Sequence, residues 1–160
     1  MKAARFHEYG DASVLVYEDA PDPVAGPGEV VVRVRSCAIN HVDVDMRNGS
    51  SRIPLQLPHT LGMEFAGEIA ELGPGVDGWS VGDRVSPIFQ IHCNDCEMCA
   101  RGEHHHCRKI KMLGIQIPGG HAEYATVPAW VLYRLPDHMS YDDAAAAQTS
   151  FCTGLHALRT

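Results

Sequence analysis

A mainly β fold with a few short helices is what this 160-residue sequence predicts, on three observations. Residues 29–39 alternate valine with arginine and serine, the period-two pattern of a strand in a half-exposed sheet. Glycine and proline punctuate the chain at short intervals and leave brief β-prone runs between them. Helical patterns are confined to residues 40–49 and 140–158. Hydrophobic content is 45%, which is enough for one folded domain with a real core.

In chain order, residues 1–7 read as an opening strand and residues 8–11 as a turn. Residues 14–19 are β-prone and are stopped by Pro21, Pro23 and the Gly26-Pro27-Gly28 turn. In the next strand Val30, Val32, Val34 and Ser36 share one face, with Val31, Arg33 and Arg35 on the other. Residues 40–49 read as a short helix or irregular turn, and residues 53–58 as a loop. Residues 61–72 form a strand that glycines break, which predicts bends or bulges. Gly73, Gly75 and Gly78 match Gly-x-Gly-x-x-Gly after a strand, but no helix opens at the third glycine. A dinucleotide fingerprint needs that helix, so the spacing reads as a wide turn. Residues 81–88 lead into a cysteine-rich lobe, and residues 119–127 and 131–135 return as strands. Ser140 caps a helix with Asp142 and Asp143 in its first turn, and residues 149–158 begin a second helical pattern. The sequence reaches Thr160 without a Gly or Pro stop signal, so the expectation is a fragment of a longer polypeptide.

The lobe holds Cys93, Cys96, Cys99 and Cys107. Four thiolates at this spacing can wrap one divalent metal tetrahedrally and leave no open position, so the site predicted is structural zinc, one ion per chain. Disulfides are a poor fit, because Cys-x-x-Cys-x-x-Cys is too cramped for two good bridges. An iron–sulfur cluster uses the same triplet, but its next cysteine follows sooner and precedes Pro, whereas Arg108 follows Cys107. Arg101, Arg108, Lys109, Lys111 and the His104-His105-His106 run flank the lobe and are placed to offset thiolate charge. The three histidines read as a surface cluster, since adjacent residues point different ways.

The formal net charge is −7, from 13 Lys and Arg against 20 Asp and Glu. That balance excludes nucleic acid and anionic membranes as partners. No long apolar run and no charged-then-apolar leader is present, so the expectation is a cytoplasmic protein with reduced thiols.

Taken in order, several segments resemble one family. They are residues 26–34, Ala38-Ile39-Asn40-His41-Val42-Asp43, Leu61-Gly62-Met63-Glu64, Val81-Gly82-Asp83-Arg84-Val85, the four-cysteine lobe, Gly120-His121-Ala122-Glu123-Tyr124 and Thr153-Gly154. Together they resemble the N-terminal, GroES-like catalytic domain of the medium-chain dehydrogenase/reductase superfamily. The superfamily holds zinc alcohol dehydrogenases and quinone oxidoreductases. The resemblance implies a GroES-like, partly open β-barrel over residues 1–140, with the zinc lobe at 92–112. It implies a helical connection at 141–160 toward a Rossmann domain that binds most of NAD(P)H and makes a homodimer or homotetramer.

The departures matter most. Zinc alcohol dehydrogenases bind a catalytic zinc through a Cys, a His and a second Cys; here those positions carry Asn40, Met63 and Thr149. The proton-relaying hydroxyl is replaced by Val42. Asn40 in an Ala-Ile-Asn-x-x-Asp frame is similar to the quinone oxidoreductase branch, which uses no metal in catalysis. The resemblance therefore implies an NAD(P)H-dependent reductase of quinones, enones or other carbonyls with no catalytic zinc. Its candidate catalytic residues are Asn40, His41, Asp43 and Glu64, and its candidate cofactor contacts are Asn40, Thr149 and Thr153. Asp43, Arg47 and Glu64 are expected to pair with one another under the cleft. Met63 is expected to fill the core. Two rivals stand beside this reading. One is a zinc-dependent alcohol dehydrogenase with shifted ligands from Cys37, His41, His59, Glu64 and Cys152. The other is a zinc-stabilised GroES-like binding module without chemistry.

Overall fold

The computed structural model describes residues 1–159, and Thr160, where the sequence stops, lies outside them. In chain order the elements are β1 (Lys2–Phe6), β2 (Val16–Asp19), β3 (Glu29–Ala38), α1 (His41–Asn48), β4 (His59–Thr60), β5 (Glu64–Leu72), β6 (Arg84–Pro87) and β7 (Gln90–Ile91). There follow α2 (Glu97–Ala100), β8 (Lys111–Met112), β9 (Tyr124–Pro128), β10 (Leu132–Arg134) and α3 (Tyr141–Arg159). Among the described residues the strands form a five-stranded sheet ordered β10-β6-β5-β3-β9, a three-stranded sheet β2-β1-β4 and the two-stranded β7-β8. All pairings between named strands are antiparallel. The mainly β prediction holds, and the long valine-rich strand β3 lies inside the large sheet, between the central β5 and the edge strand β9.

That sheet is built on one apolar cluster. Val30 and Val32 of β3 meet Phe65 and Ile69 of β5, Val85 of β6, and Ala125 and Val127 of β9. One face assignment needs correction. Val31 is buried alongside its neighbours instead of sharing an exposed face with Arg33 and Arg35. The register of β3 against β5 shifts between Val31 and Val32, and again between Val34 and Ser36. A bulge of this kind interrupts the two-residue alternation that the sequence implied.

Gly67 shows why β5 carries a glycine. A Cβ there would lie 2.0 Å from the Arg33 carbonyl oxygen of the paired strand. Gly67→Ala is therefore expected to force β3 and β5 apart and destabilise the domain by about 3 kcal/mol. Thermal unfolding of the purified variant checks this, and an unchanged midpoint would contradict it.

The second cluster joins Phe6, Met46, Leu61, Met63 and Ile115. Met63 is a core residue, as the sequence suggested. His59 of β4 is buried beside Phe6, and its Nε2 donates to the Gly114 carbonyl at 2.9 Å. Burial lowers its pKa from the ordinary histidine value near 6.5, with the Gly114 carbonyl acting in the opposite sense. The folded state thus binds fewer protons here than the unfolded chain. Stability from this group is present above about pH 6.5 and is lost as pH falls through the folded value. Unfolding free energy measured between pH 7.5 and 5.5 should fall more steeply in wild type than in His59→Asn. Equal slopes would remove His59 as the cause.

The C-terminal segment also differs from expectation. Residues 141–159 are one helix, not two patterns in series. Ser140 caps it as predicted: the Asp143 amide donates to Ser140 Oγ at 3.0 Å. Ala144 and Ala145 pack on Ala66 and Leu135, seating the helix against β5. Gln148 Nε2 donates to the Phe65 carbonyl at 3.3 Å and also bonds Ser86 Oγ. The small alanine face therefore lets the helix approach closely and delivers Thr149 to the end of β5. No helix among the described residues is long and apolar enough to cross a membrane.

Candidate metal centre and cleft

The hairpin β7–β8 closes the cysteine lobe, pairing Gln90 with Met112 and Ile91 with Lys111. Inside it Cys96 caps the single turn α2, and Asn94 takes a left-handed backbone with φ of 59°. The four sulfurs lie within 4.8 Å of one another. Cys96–Cys99 and Cys93–Cys107 are 3.5 Å apart, and Cys93–Cys99 and Cys96–Cys107 are 3.9 Å apart. A tetrahedral ion with Zn–S bonds of about 2.3 Å places its sulfurs about 3.8 Å apart. The tetrad therefore fits one zinc ion, and its four soft donors close the coordination sphere.

Backbone amides prepare these sulfurs. The Cys93 amide donates to Cys107 Sγ at 3.3 Å. Amides of Cys99 and Arg108 hold the Cys96 thiol down to about 6, and the Cys93 amide lowers Cys107. Burial raises Cys99, while the Asp95 carboxylate leads the rise of Cys93 to about 12. A metal entering the tetrad must displace protons from these two. The flanking basic residues are not all turned to sulfur as expected. Arg101 pairs with Glu97, and Lys109 pairs with Asp95 at 3.0 Å. The three histidines are exposed. His104 lies flat on His92, with ring centres 3.9 Å apart and planes 1° from parallel. Cofacial rings cannot aim two lone pairs at one ion, so the surface reading stands.

The cleft is assembled where α1, β5 and α3 meet. Asn40 caps α1, and its backbone N–H donates to Asp43 Oδ2 at 2.8 Å. Asp43 Oδ1 accepts from the Gly62 amide at 3.1 Å, tying the start of the helix to the turn before β5. Gly62 has a φ of 98°, and a Cβ there would meet Cys37 Sγ at 2.7 Å and His121 at 2.8 Å. Asn40 Nδ2 donates to Glu64 Oε2 at 2.7 Å, and the Thr149 amide donates to Glu64 Oε1. Glu64, only 2% exposed, thus clasps α1 to α3. Asn40, Glu64 and Thr149 are brought together; other predicted members are not. Asp43, Arg47 and Glu64 do not pair with one another, which corrects that expectation. Asp43 is spent on backbone amides, and Arg47 Nε reaches the Gly10 carbonyl at 3.4 Å. His41 is exposed and lies 3.6 Å from Asp45. Thr153 is exposed one turn beyond Thr149.

Among the described residues the ligands of the shifted site do not converge. The cysteine tetrad is the group of three or more His, Cys, Asp or Glu whose ligand atoms converge among the described residues. His59 is committed to Gly114, and Cys152 is exposed on α3. The Cys37 thiol is pushed up to about 12 by burial, with Asp43 and Glu64 adding to it, and it stands outside any converging ligand group among the described residues. Asn40, Met63 and Thr149 themselves offer zinc an amide, a core-packed thioether and a hydroxyl, which do not fit a catalytic zinc. Residues 73–78 form a turn between β5 and β6 with no helix behind them, so the described residues build no pyrophosphate cradle.

Sequence reasoning missed the Gly62 amide as a partner of Asp43 and the reach of Gln148 to β5 and β6. It also missed that the Thr149 hydroxyl oxygen is buried with no hydrogen-bond partner. An apolar-to-polar step in the helix, from the alanine run to Gln148-Thr149, was the available signal.

The sequence profile of the alcohol dehydrogenase GroES-like domain matches residues 26–137. The chain is 36% identical over 140 residues to L-threonine 3-dehydrogenase of Pectobacterium atrosepticum, covering 86% of this chain and 38% of that one. It is 39% identical over 134 residues to the same-named protein of Pyrococcus furiosus, covering 82% and 37%. Among solved structures, an NAD-dependent alcohol dehydrogenase superposes with a TM-score of 0.93 at 37% identity, covering 98% of this chain and 46% of the other. A cobalt- and zinc-bound thermostable alcohol dehydrogenase from Pyrobaculum aerophilum gives 0.90 at 34% identity, covering 99% and 48%. The chain spans about two fifths of the length of the curated relatives it matches.

Proposed function

This chain belongs to the alcohol dehydrogenase GroES-like domain family within the medium-chain dehydrogenase/reductase superfamily, and from that premise we propose a zinc-free reaction cleft. In this reading the domain is the substrate side of an NAD(P)H-dependent oxidoreductase. Its acceptors are quinones or conjugated carbonyls. The observation that carries it is the Asn40–Glu64–Thr149 clasp: of the three positions where zinc alcohol dehydrogenases carry metal ligands, 40 holds a side-chain amide bonded to Glu64, 149 a threonine bonded to Glu64 through its backbone N–H, and 63 a core-packed methionine. The cysteine tetrad holds a structural zinc at a separate place, because its four sulfurs leave no open site.

The dinucleotide supplies a hydride when bound, and its pyrophosphate rests on a domain joined to this one. This chain's residues orient and enclose. Asn40 is held by Glu64 with its amide at the cleft, where it meets substrate or nicotinamide. Asp43 fixes the helix start that carries Asn40. Conjugated acceptors suit such a site, since they spread developing negative charge onto a distant oxygen that neutral donors can stabilise. Alcohol oxidation lacks both its Lewis acid and, at Val42, its proton relay.

Zinc stoichiometry of the full-length enzyme, measured alongside parallel assays, tests the proposal. One zinc per chain, with turnover of quinones or enones and none of secondary alcohols, is the expected result. Two zinc ions per chain with alcohol turnover would overturn it.

A further inference from the structure

We propose that Thr149 Oγ1 is the donor that receives the carbonyl oxygen of the substrate, which makes this hydroxyl stand in for a cation. The proposal rests on the zinc-free reading of the cleft. Thr149 lies in the middle of α3. A threonine there ordinarily returns its hydroxyl to the carbonyl four residues back, here Ala145. Thr149 does not: its hydroxyl oxygen is buried and bonded to nothing. A buried hydroxyl left unpaired is costly, and such groups persist where a ligand completes them.

The surroundings define that ligand. The backbone N–H of Thr149 is on Glu64 Oε1, and Asn40 Nδ2 is on Glu64 Oε2 at 2.7 Å. Both glutamate oxygens are therefore engaged by N–H groups, and the hydroxyl is left over in the same cluster. Gln148 beside it also keeps a buried, unpaired oxygen, but that atom is an acceptor and its amide nitrogen is held by Phe65 and Ser86, so Thr149 Oγ1 is the free donor of the two. Glu64 is a buried carboxylate within this cluster, and Asp43, also buried, bonds the backbone amide of Asn40. They disfavour carboxylate and phosphate ligands and leave a neutral oxygen as the acceptor. Helical threonine has two χ1 wells, so a rotation swings the hydroxyl from its enclosed position toward a ligand seated against Asn40. The hydroxyl forms and breaks no covalent bond; it donates one hydrogen bond.

The test uses full-length enzyme saturated with its oxidised nicotinamide dinucleotide, so no hydride is available, and carbonyl-13C 2-cyclohexenone as probe. Thr149→Val should weaken the dissociation constant about tenfold, the equivalent of about one neutral hydrogen bond. The labelled carbonyl stretch should move to higher wavenumber in that variant, and Thr149→Ser should restore both readings. The melting temperature of Thr149→Val should not drop, because the lost hydroxyl had no partner. If Thr149→Val binds the enone as wild type does, with the same band, the assignment is wrong while the zinc-free cleft survives. If wild type binds a second zinc and a secondary alcohol in place of the enone, the parent reading is what fails.

Discussion

Cys99→Ser is expected to empty the lobe of zinc and to unfold it, taking metal content from one ion per chain to none. The reason is that this lobe has no other core. Between β7 and β8, Cys99 and Cys107 are the buried residues; the rest are exposed or half-exposed. The hairpin that closes it has two residue pairs. Structural zinc sites of this kind are worth about 10–16 kcal/mol of apparent binding free energy at neutral pH, and much of that is folding free energy. The serine puts a neutral hydroxyl where a buried thiolate closed the coordination sphere and the lobe's small core, and the Asn94 amide aimed at that sulfur loses its anion. The expected readings are loss of zinc by elemental analysis, protease cleavage inside residues 92–112, and an unfolding free energy lowered by an amount on the order of several kcal/mol. Cys152→Ser, on the exposed face of α3, is the control and should keep its zinc. Full zinc content in Cys99→Ser would show that the ligand set is wrong.

What the sequence could show follows from how local each signal is. The cysteine spacing is local, because two residues between successive sulfurs fix a knuckle whatever the rest of the chain does. The β3 valines are nearly so, and only the bulge at Val31 and Val32 defeated the alternation rule. Ser140 and its acidic first turn likewise encode a helix start in four residues. The cleft is different. Glu64, Asn40 and Thr149 are far apart in sequence and meet only because the alanine face of α3 seats on Ala66. Pairing Asp43 with Arg47 and Glu64 was a guess from charge. The actual partners of Asp43 are backbone amides, which carry no sequence signal. Reading α3 as two patterns failed because the polar Gln148-Thr149 step looks like a break. In the fold it is the point where the helix turns polar groups inward.

The second large effect is a gain. Asn40→Cys, Met63→His and Thr149→Cys, made together in the full-length enzyme, should create a second zinc site, raising metal content from one to two ions per chain. Positions 40 and 149 already touch the two oxygens of one carboxylate, so sulfurs placed there lie within reach of a single ion. Glu64 loses the amide of Asn40 but gains a cation near its buried charge, which offsets the lost hydrogen bond. The histidine is the harder part. Met63 packs with Phe6, Met46, Leu61 and Ile115, and removing it from that cluster costs about 2–5 kcal/mol. Zinc held by three protein ligands and water can offset that loss, whereas two ligands cannot, so the Asn40→Cys, Met63→His pair that keeps Thr149 should remain at one ion. Cobalt substitution reports the outcome directly, since thiolate-to-cobalt charge-transfer absorption should grow in the triple variant beyond that of the lobe. Alcohol turnover need not follow, because Val42 still stands where the proton relay would be. A triple variant that binds no more metal than wild type would mean these three positions do not share a cation site. The argument that their identities make the cleft metal-free would then lose its basis.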